Sequence, residues 1–146
     1  MLSSISRSIT RVDKAVIKCI GNGKWLCTNK SGIDILLSTD HSKPAVRPGQ
    51  AILMALGACS SADIRADLEK QGYKIKDISA EVIGKFDTKP ARHMNEIDIK
   101  FTVDADGVSQ EKVNQAAQIA LTTVCPVANT LTGETTLKYK ATIKNN

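Results

Sequence analysis

Four cysteines define the reactive chemistry open to this chain of 146 residues. Two of them sit in distinctive contexts. Cys59 closes an apolar run that starts at Arg47-Pro48-Gly49-Gln50, and Cys125 opens Cys125-Pro126-Val127-Ala128-Asn129. If folding joins them, they form a thiol pair able to cycle between dithiol and disulfide. On a helix, the neighbours of Cys59 at three, four and seven residues include Ile52, Ala55, Leu56, Ala62, Asp63 and Ala66. Most are small and apolar, so burial disfavours the thiolate, and Asp63 disfavours it further. Taken alone, Cys59 reads as a core cysteine. Reactivity requires a cation delivered by the fold or by a second subunit.

Cys125 is better placed locally. Proline biases the residue before it toward extended backbone and cannot continue the preceding helix. A helix restarting at Pro126 puts Cys125 at its N-cap, where free N–H groups and the helix dipole favour a negative sulfur. The plainer reading is a structural cysteine at a helical kink. Cys19 and Cys27 flank Gly21-Asn22-Gly23 and face one another only if that turn centres on Gly23; ordinary strand cysteines are the default. No C-x-x-C or H-x-x-x-H spacing exists and His41 and His93 fall in loop segments, so no zinc site is expected. No G-x-S-x-G elbow or phosphate-binding glycine loop is present.

The elements that must position these thiols follow from periodicity. Ala15 to Cys19, Lys24 to Asn29 and Ile33 to Ser38 read as strands joined by turns at Gly21–Gly23 and Lys30–Gly32. Pro48 suits the first turn of a helix that runs to Gln71 and stops at Gly72. Its first half, Ala51 to Cys59, is apolar on every face, which predicts burial all round. Ile78 to Phe86 and Ile97 to Val103 alternate as strands, separated by a loop holding Pro90. Ser109 caps a second helix carrying Val113, Ala116, Ala117, Ala120, Leu121 and Val124 at helical spacing. Leu137 to Ile143 alternates with lysines and threonines as a strand with one wet face. Strand runs broken by two helices predict an α+β fold in one domain.

Composition narrows the partners. The net charge of +5 is spread over polar faces with no Lys/Arg block and only five aromatic residues, which argues against nucleic-acid binding. No apolar run approaches the roughly 20 residues that span a bilayer, so no membrane partner is expected. A cytoplasmic, reducing compartment is expected. The Ser/Arg-rich segment Met1 to Arg11 reads as a flexible leader, with organellar import as the lesser alternative.

Together, Pro48-Gly49-Gln50-Ala51-Ile52-Leu53-Met54-Ala55-Leu56-Gly57-Ala58-Cys59 and Cys125-Pro126-Val127-Ala128-Asn129 resemble the OsmC/Ohr family of osmotically induced and organic-hydroperoxide-resistance proteins. The resemblance covers almost everything after about Val12. It implies antiparallel sheets wrapped around two long central helices in an intertwined homodimer. It implies a thiol-dependent peroxidase that reduces organic or inorganic hydroperoxides, needs no cofactor, and has Cys59 as the peroxidatic and Cys125 as the resolving cysteine. A dithiol reductant, such as a lipoylated protein, restores the family's active form. The family's peroxidases place a glutamate directly after the helix-starting proline, where this chain has Gly49. They also bring an arginine to the reactive thiol, for which the candidates here are Lys24 and Arg47. Two alternatives stand beside this reading: a noncatalytic or redox-sensing dimer that binds a small apolar ligand at its interface, and a different thiol-dependent enzyme on the same scaffold.

Overall fold

A computed structural model describes residues 12–88 and 92–144. The leader expected over Met1 to Arg11 and the loop position Pro90 lie outside them. The chain is α+β, as its periodicity predicts, and it divides between Gln50 and Ala51 into two compact units.

The N-terminal unit is an antiparallel meander of β1 (Ala15–Cys19), β2 (Lys24–Asn29) and β3 (Asp34–Ser38). Gly21, Asn22 and Gly23 all have positive φ, which lets the β1–β2 turn close within so few residues. The pairing of Cys19 with Trp25 and of Ile17 with Cys27 centres that turn on Asn22. Cys19 and Cys27 are therefore not directly opposed, and both thiols are free. Val16, Ile17, Ile33, Ile35 and Leu36 are all exposed. A three-stranded sheet this bare has no core of its own.

The second unit holds most of α1 (Pro48–Lys70), β4 (Ile75–Phe86), β5 (Met94–Ala105), α2 (Gln110–Ile119), α3 (Pro126–Leu131) and β6 (Thr136–Ile143). The start of α1 is set by proline at its first position and by the Gln50 side chain, which accepts a hydrogen bond from the Arg47 N–H at 2.9 Å. Its end is a Schellman motif: Gly72 at φ 93° lets Tyr73 N–H reach Leu68 O at 3.1 Å, and Gly72 N–H reaches Glu69 O at 2.9 Å. Ser109 caps α2 as predicted, its hydroxyl accepting from Lys112 N–H.

Two expectations need correction. The sheet of this unit is mixed, because β5 pairs antiparallel with β4 but parallel with β6. The helical crossover between β5 and β6 is what permits the parallel pair; a short hairpin would force the antiparallel one. Nor is the first half of α1 buried all round. Leu56, Gly57, Ser60, Ile64 and Leu68 are buried, whereas Ile52 and Met54 are 40% and 57% exposed. One stripe packs on the core and the other apolar stripe faces outward.

The buried face of the sheet is Ile97, Ile99, Phe101 and Val103 on β5, with Ala141 of β6 beside Phe101. The wet face carries ion pairs from Lys85 to Glu96 and Asp98 and from Lys138 to Glu96. Helix α1 approaches β4 through Gly57, where an added Cβ would sit 3.0 Å from Val82 Cγ2. Gly57→Ala should therefore fail to gain the roughly 1 kcal/mol of helix propensity expected on exposed ground. Gly57→Val should lower stability by about 1–3 kcal/mol in urea denaturation.

Candidate functional site

Cys59 and Asp63 stand one turn apart on α1, four residues being the spacing that aligns side chains on one helix face. Cys59 is half-buried and packs against the core cluster. Between them Ser60 is fully buried, its hydroxyl donating to Leu56 O at 2.6 Å, so this face of the helix leaves that polar group satisfied.

The chain delivers Cys125 from the opposite direction. After Ile119 the helix widens into a π-type turn, Ala120–Val124, in which Cys125 N–H donates to Ala120 O at 2.9 Å. The cause is Pro126, which has no N–H to continue the ladder and holds Cys125 in extended backbone at φ −67° and ψ 113°. Asn129 Nδ2 donates to the freed Thr123 carbonyl at 3.0 Å. A new helix, α3, starts at Pro126 with Cys125 as its N-cap, and the sulfur accepts from Ala128 N–H at 3.4 Å. The local geometry predicted from Cys125-Pro126 is the geometry found.

The two sulfurs and a carboxylate oxygen of Asp63 all lie within 4.8 Å of one another. From sequence alone Asp63 is a neighbour that opposes a thiolate; the structure makes it part of the cluster. Its signal was its position four residues after Cys59. The Asp63 Oδ2 atom is buried with no hydrogen-bond partner. Burial raises its carboxyl above the usual carboxylate range.

The ionisation of Cys125 runs against expectation. An N-cap thiol was expected to favour the thiolate, yet this one is pushed up to about 11. Loss of water around the fully buried sulfur is the largest cause, followed by its hydrogen bond with Cys59. The N–H groups of Ala128 and Val127 pull the other way and are outweighed. Among the described residues, no cation figures in these influences. Six residues of helix supply too small a dipole to offset desolvation. At neutral pH Cys125 therefore keeps its proton.

The two candidate cations belong to the N-terminal unit, whereas the thiols belong to the other. Lys24 begins β2. Arg47 precedes α1, and its guanidinium donates to Lys43 O at 2.9 Å and Ser38 O at 3.4 Å. Within the second unit, a groove of about 250 Å³ opens beside Asp63, walled by Ala66, Ile119, Ala120 and Val124 and carrying the charged side chains Asp67 and Lys70.

The family model described as OsmC-like protein matches residues 39–140. Protein YhfA of Escherichia coli strain K12 is 24% identical over 115 residues, spanning 79% of this chain and 86% of the relative. Among solved structures, the OsmC-like protein from Mycoplasma pneumoniae superposes with a TM-score of 0.83 at 17% identity, covering 94% of this chain and 100% of that one. An organic hydroperoxide resistance protein OsmC from Legionella pneumophila gives a TM-score of 0.69 at 17% identity, with the same coverage. At these identities the two structures establish the shared fold alone.

The raised Cys125 thiol carries a stability consequence. The folded chain holds this proton up to about pH 11, while an unfolded cysteine releases it near 9. Below that window neither state is ionised and the group contributes nothing. Across it the unfolded state binds fewer protons, so stability falls by up to about 1.4 kcal/mol per pH unit as pH rises. Urea denaturation of the reduced protein between pH 8.5 and 11 should show this loss. In Cys125→Ala the slope should be shallower.

Proposed function

Because the chain belongs to the OsmC-like protein family, we propose that it is a thiol-dependent peroxidase that reduces organic or inorganic hydroperoxides through Cys59 and Cys125. The observation that carries this reading is the convergence of the two sulfurs, 66 residues apart in sequence, within 4.8 Å of each other. The name of the Legionella relative points to the same class of oxidant.

Exposure divides the labour between the thiols. Cys59 is half-buried, so a hydroperoxide reaches it, and the adjacent groove offers an apolar wall for an organic substituent. Cys125 is enclosed and protonated, which suits a thiol that reacts with its neighbour and not with solvent. In the first step the Cys59 thiolate attacks the distal oxygen of the O–O bond, leaving Cys59 as a sulfenic acid and releasing an alkoxide that takes a proton to become the alcohol. In the second step the Cys125 sulfur attacks the sulfenic sulfur. Hydroxide leaves and combines with the Cys125 proton as water, and a Cys59–Cys125 disulfide remains. An external dithiol then reduces that disulfide by exchange. Lys24 and Arg47 are the chain's candidates for stabilising the Cys59 thiolate, in the role that the family gives to arginine. Lysine offers a point charge where arginine offers a planar fork, so the two differ in how firmly they orient a peroxide.

The working form in this proposal is a homodimer. The outward stripe of α1 with Ile52 and Met54, and the bare strands of the N-terminal unit, present more apolar side chains than a monomer leaves in water. A second copy, with its own α1, supplies the matching surface and makes α1 one of a central pair of helices.

Two measurements test these statements. One equivalent of an organic hydroperoxide should lower the intact mass of the reduced protein by two hydrogens, with peptide mapping placing the link between Cys59 and Cys125. Cys59→Ser should abolish the change, and Cys125→Ser should stop at one added oxygen. A reduced protein whose mass does not change would overturn the reading. In light scattering the protein should weigh twice its 15.7 kDa chain mass, and Met54→Glu should shift it toward the monomer.

A further inference from the structure

The cluster at the junction of α1 and the π-type turn has an electrostatic feature that the peroxidase reading leaves unused. It joins two thiols to a carboxylate whose Oδ2 atom is buried without a partner. A buried, unpaired carboxylate oxygen costs free energy unless something satisfies it. The spacing matters as much as the chemistry. Around a tetrahedral zinc ion, two thiolate sulfurs stand about 3.8 Å apart and a sulfur and a carboxylate oxygen about 3.5 Å apart, given the usual bond lengths. Atoms already within 4.8 Å of one another need to close by roughly 1 Å to reach those values. Two of the ligands come from successive turns of one rigid helix and the third from the N-cap of another, so both backbones are fixed before an ion arrives. The groove lined by Asp63, Asp67, Lys70, Ala120 and Val124 reaches the Asp63 ligand and has room for a water as fourth ligand.

We infer that the reduced protein binds one soft divalent cation, zinc above all, through Cys59 Sγ, Cys125 Sγ and a carboxylate oxygen of Asp63. Among the described residues this is the one cluster of three such ligands. Thiolate ligands select zinc over magnesium or calcium, which prefer all-oxygen shells. Binding releases both thiol protons to solvent and leaves two thiolates and one carboxylate on the ion, so no electron is transferred. A disulfide between the same sulfurs removes two of the three ligands and expels the ion. Metal occupancy and thiol oxidation are then mutually exclusive states of one site. The inference does not require that the chain turn over peroxides, since it concerns the reduced pair alone.

The test uses the full chain with Cys19→Ser and Cys27→Ser, so that the two remaining thiols are those of the site. Native mass spectrometry of the reduced protein with added zinc chloride should show one ion per chain at the mass of the protein plus zinc less two protons. Cobalt(II) chloride should give thiolate-to-cobalt charge-transfer absorption and the visible bands of a tetrahedral site. Asp63→Asn should weaken zinc binding by about tenfold or more, as loss of a polar contact to a metal site does. Alkylating Cys59 with iodoacetamide, which leaves the sequence and the buried thiol intact, should abolish the cobalt bands without relying on a variant that has to fold. Absence of a zinc-bound mass, unchanged affinity in Asp63→Asn, or cobalt bands that survive alkylation would each overturn the inference. A failure of hydroperoxide turnover with zinc binding intact would count against the peroxidase and leave the metal site standing.

Discussion

The constraint on which the site depends is the enclosure of one sulfur. Cys125 has no exposed surface, and an ionised thiol there would lose its hydration, with no cation among the described residues acting on it. The fold meets that constraint by keeping the thiol protonated and by turning its sulfur toward Ala128 N–H and Cys59. Everything around it serves the enclosure. Proline at position 126 ends one helix and starts the next. The π-type turn gives the Cys125 N–H a partner in Ala120 that a regular α-turn ending there would not. On the other side, Gly57 lets α1 lie close to Val82, which brings the turn carrying Cys59 down onto the core.

Much of this was legible from residues whose local physics has few solutions. Pro48 at a helix start, Gly72 at a left-handed stop, Ser109 as an N-cap and the Cys125-Pro126 restart all occupy the roles that their backbone chemistry dictates. What stayed hidden depends on partners distant in sequence. Nothing in the alternation of Leu137 to Ile143 tells whether β6 lies parallel or antiparallel to β5, because a period of two is the same in both. The apolar run Ala51 to Cys59 reports that its surfaces avoid water but not what covers them; within one chain Ile52 and Met54 stay exposed. The N-cap rule for Cys125 identified the hydrogen bond and misjudged the ionisation, because a dipole is readable from sequence and desolvation is not. Asp63 was visible four residues from Cys59, yet its membership in the cluster depends on where the chain returns after Ala120.

The inequality between the two thiols follows from the same geometry. A sulfur on the exposed shoulder of a helix meets solutes, and one sealed at an N-cap meets only its neighbours. Division of a disulfide cycle into an attacking and a resolving step needs that asymmetry, because a resolving thiol that also met solvent would compete for the oxidant. The carboxylate of Asp63 adds a cost to the arrangement. A group that becomes negative beside a forming thiolate raises the energy of that thiolate, so the peroxidase reading needs positive charge close to Cys59.

Those two facts give the proposed disulfide cycle and the proposed metal site a common electrostatic origin. Three groups that can each carry negative charge, gathered in a poorly hydrated site, are stabilised by protonation, by a cation, or by covalent loss of the charge. Protonation describes the resting Cys125 thiol. A divalent ion satisfies all three groups at once, and a disulfide eliminates two of them. The protonated thiol and the two proposed states are thus three ways of relieving one electrostatic cost, separated by proton release and by oxidation. Which one prevails is set by the supply of oxidant and metal, because the scaffold that holds the three side chains together is common to all of them.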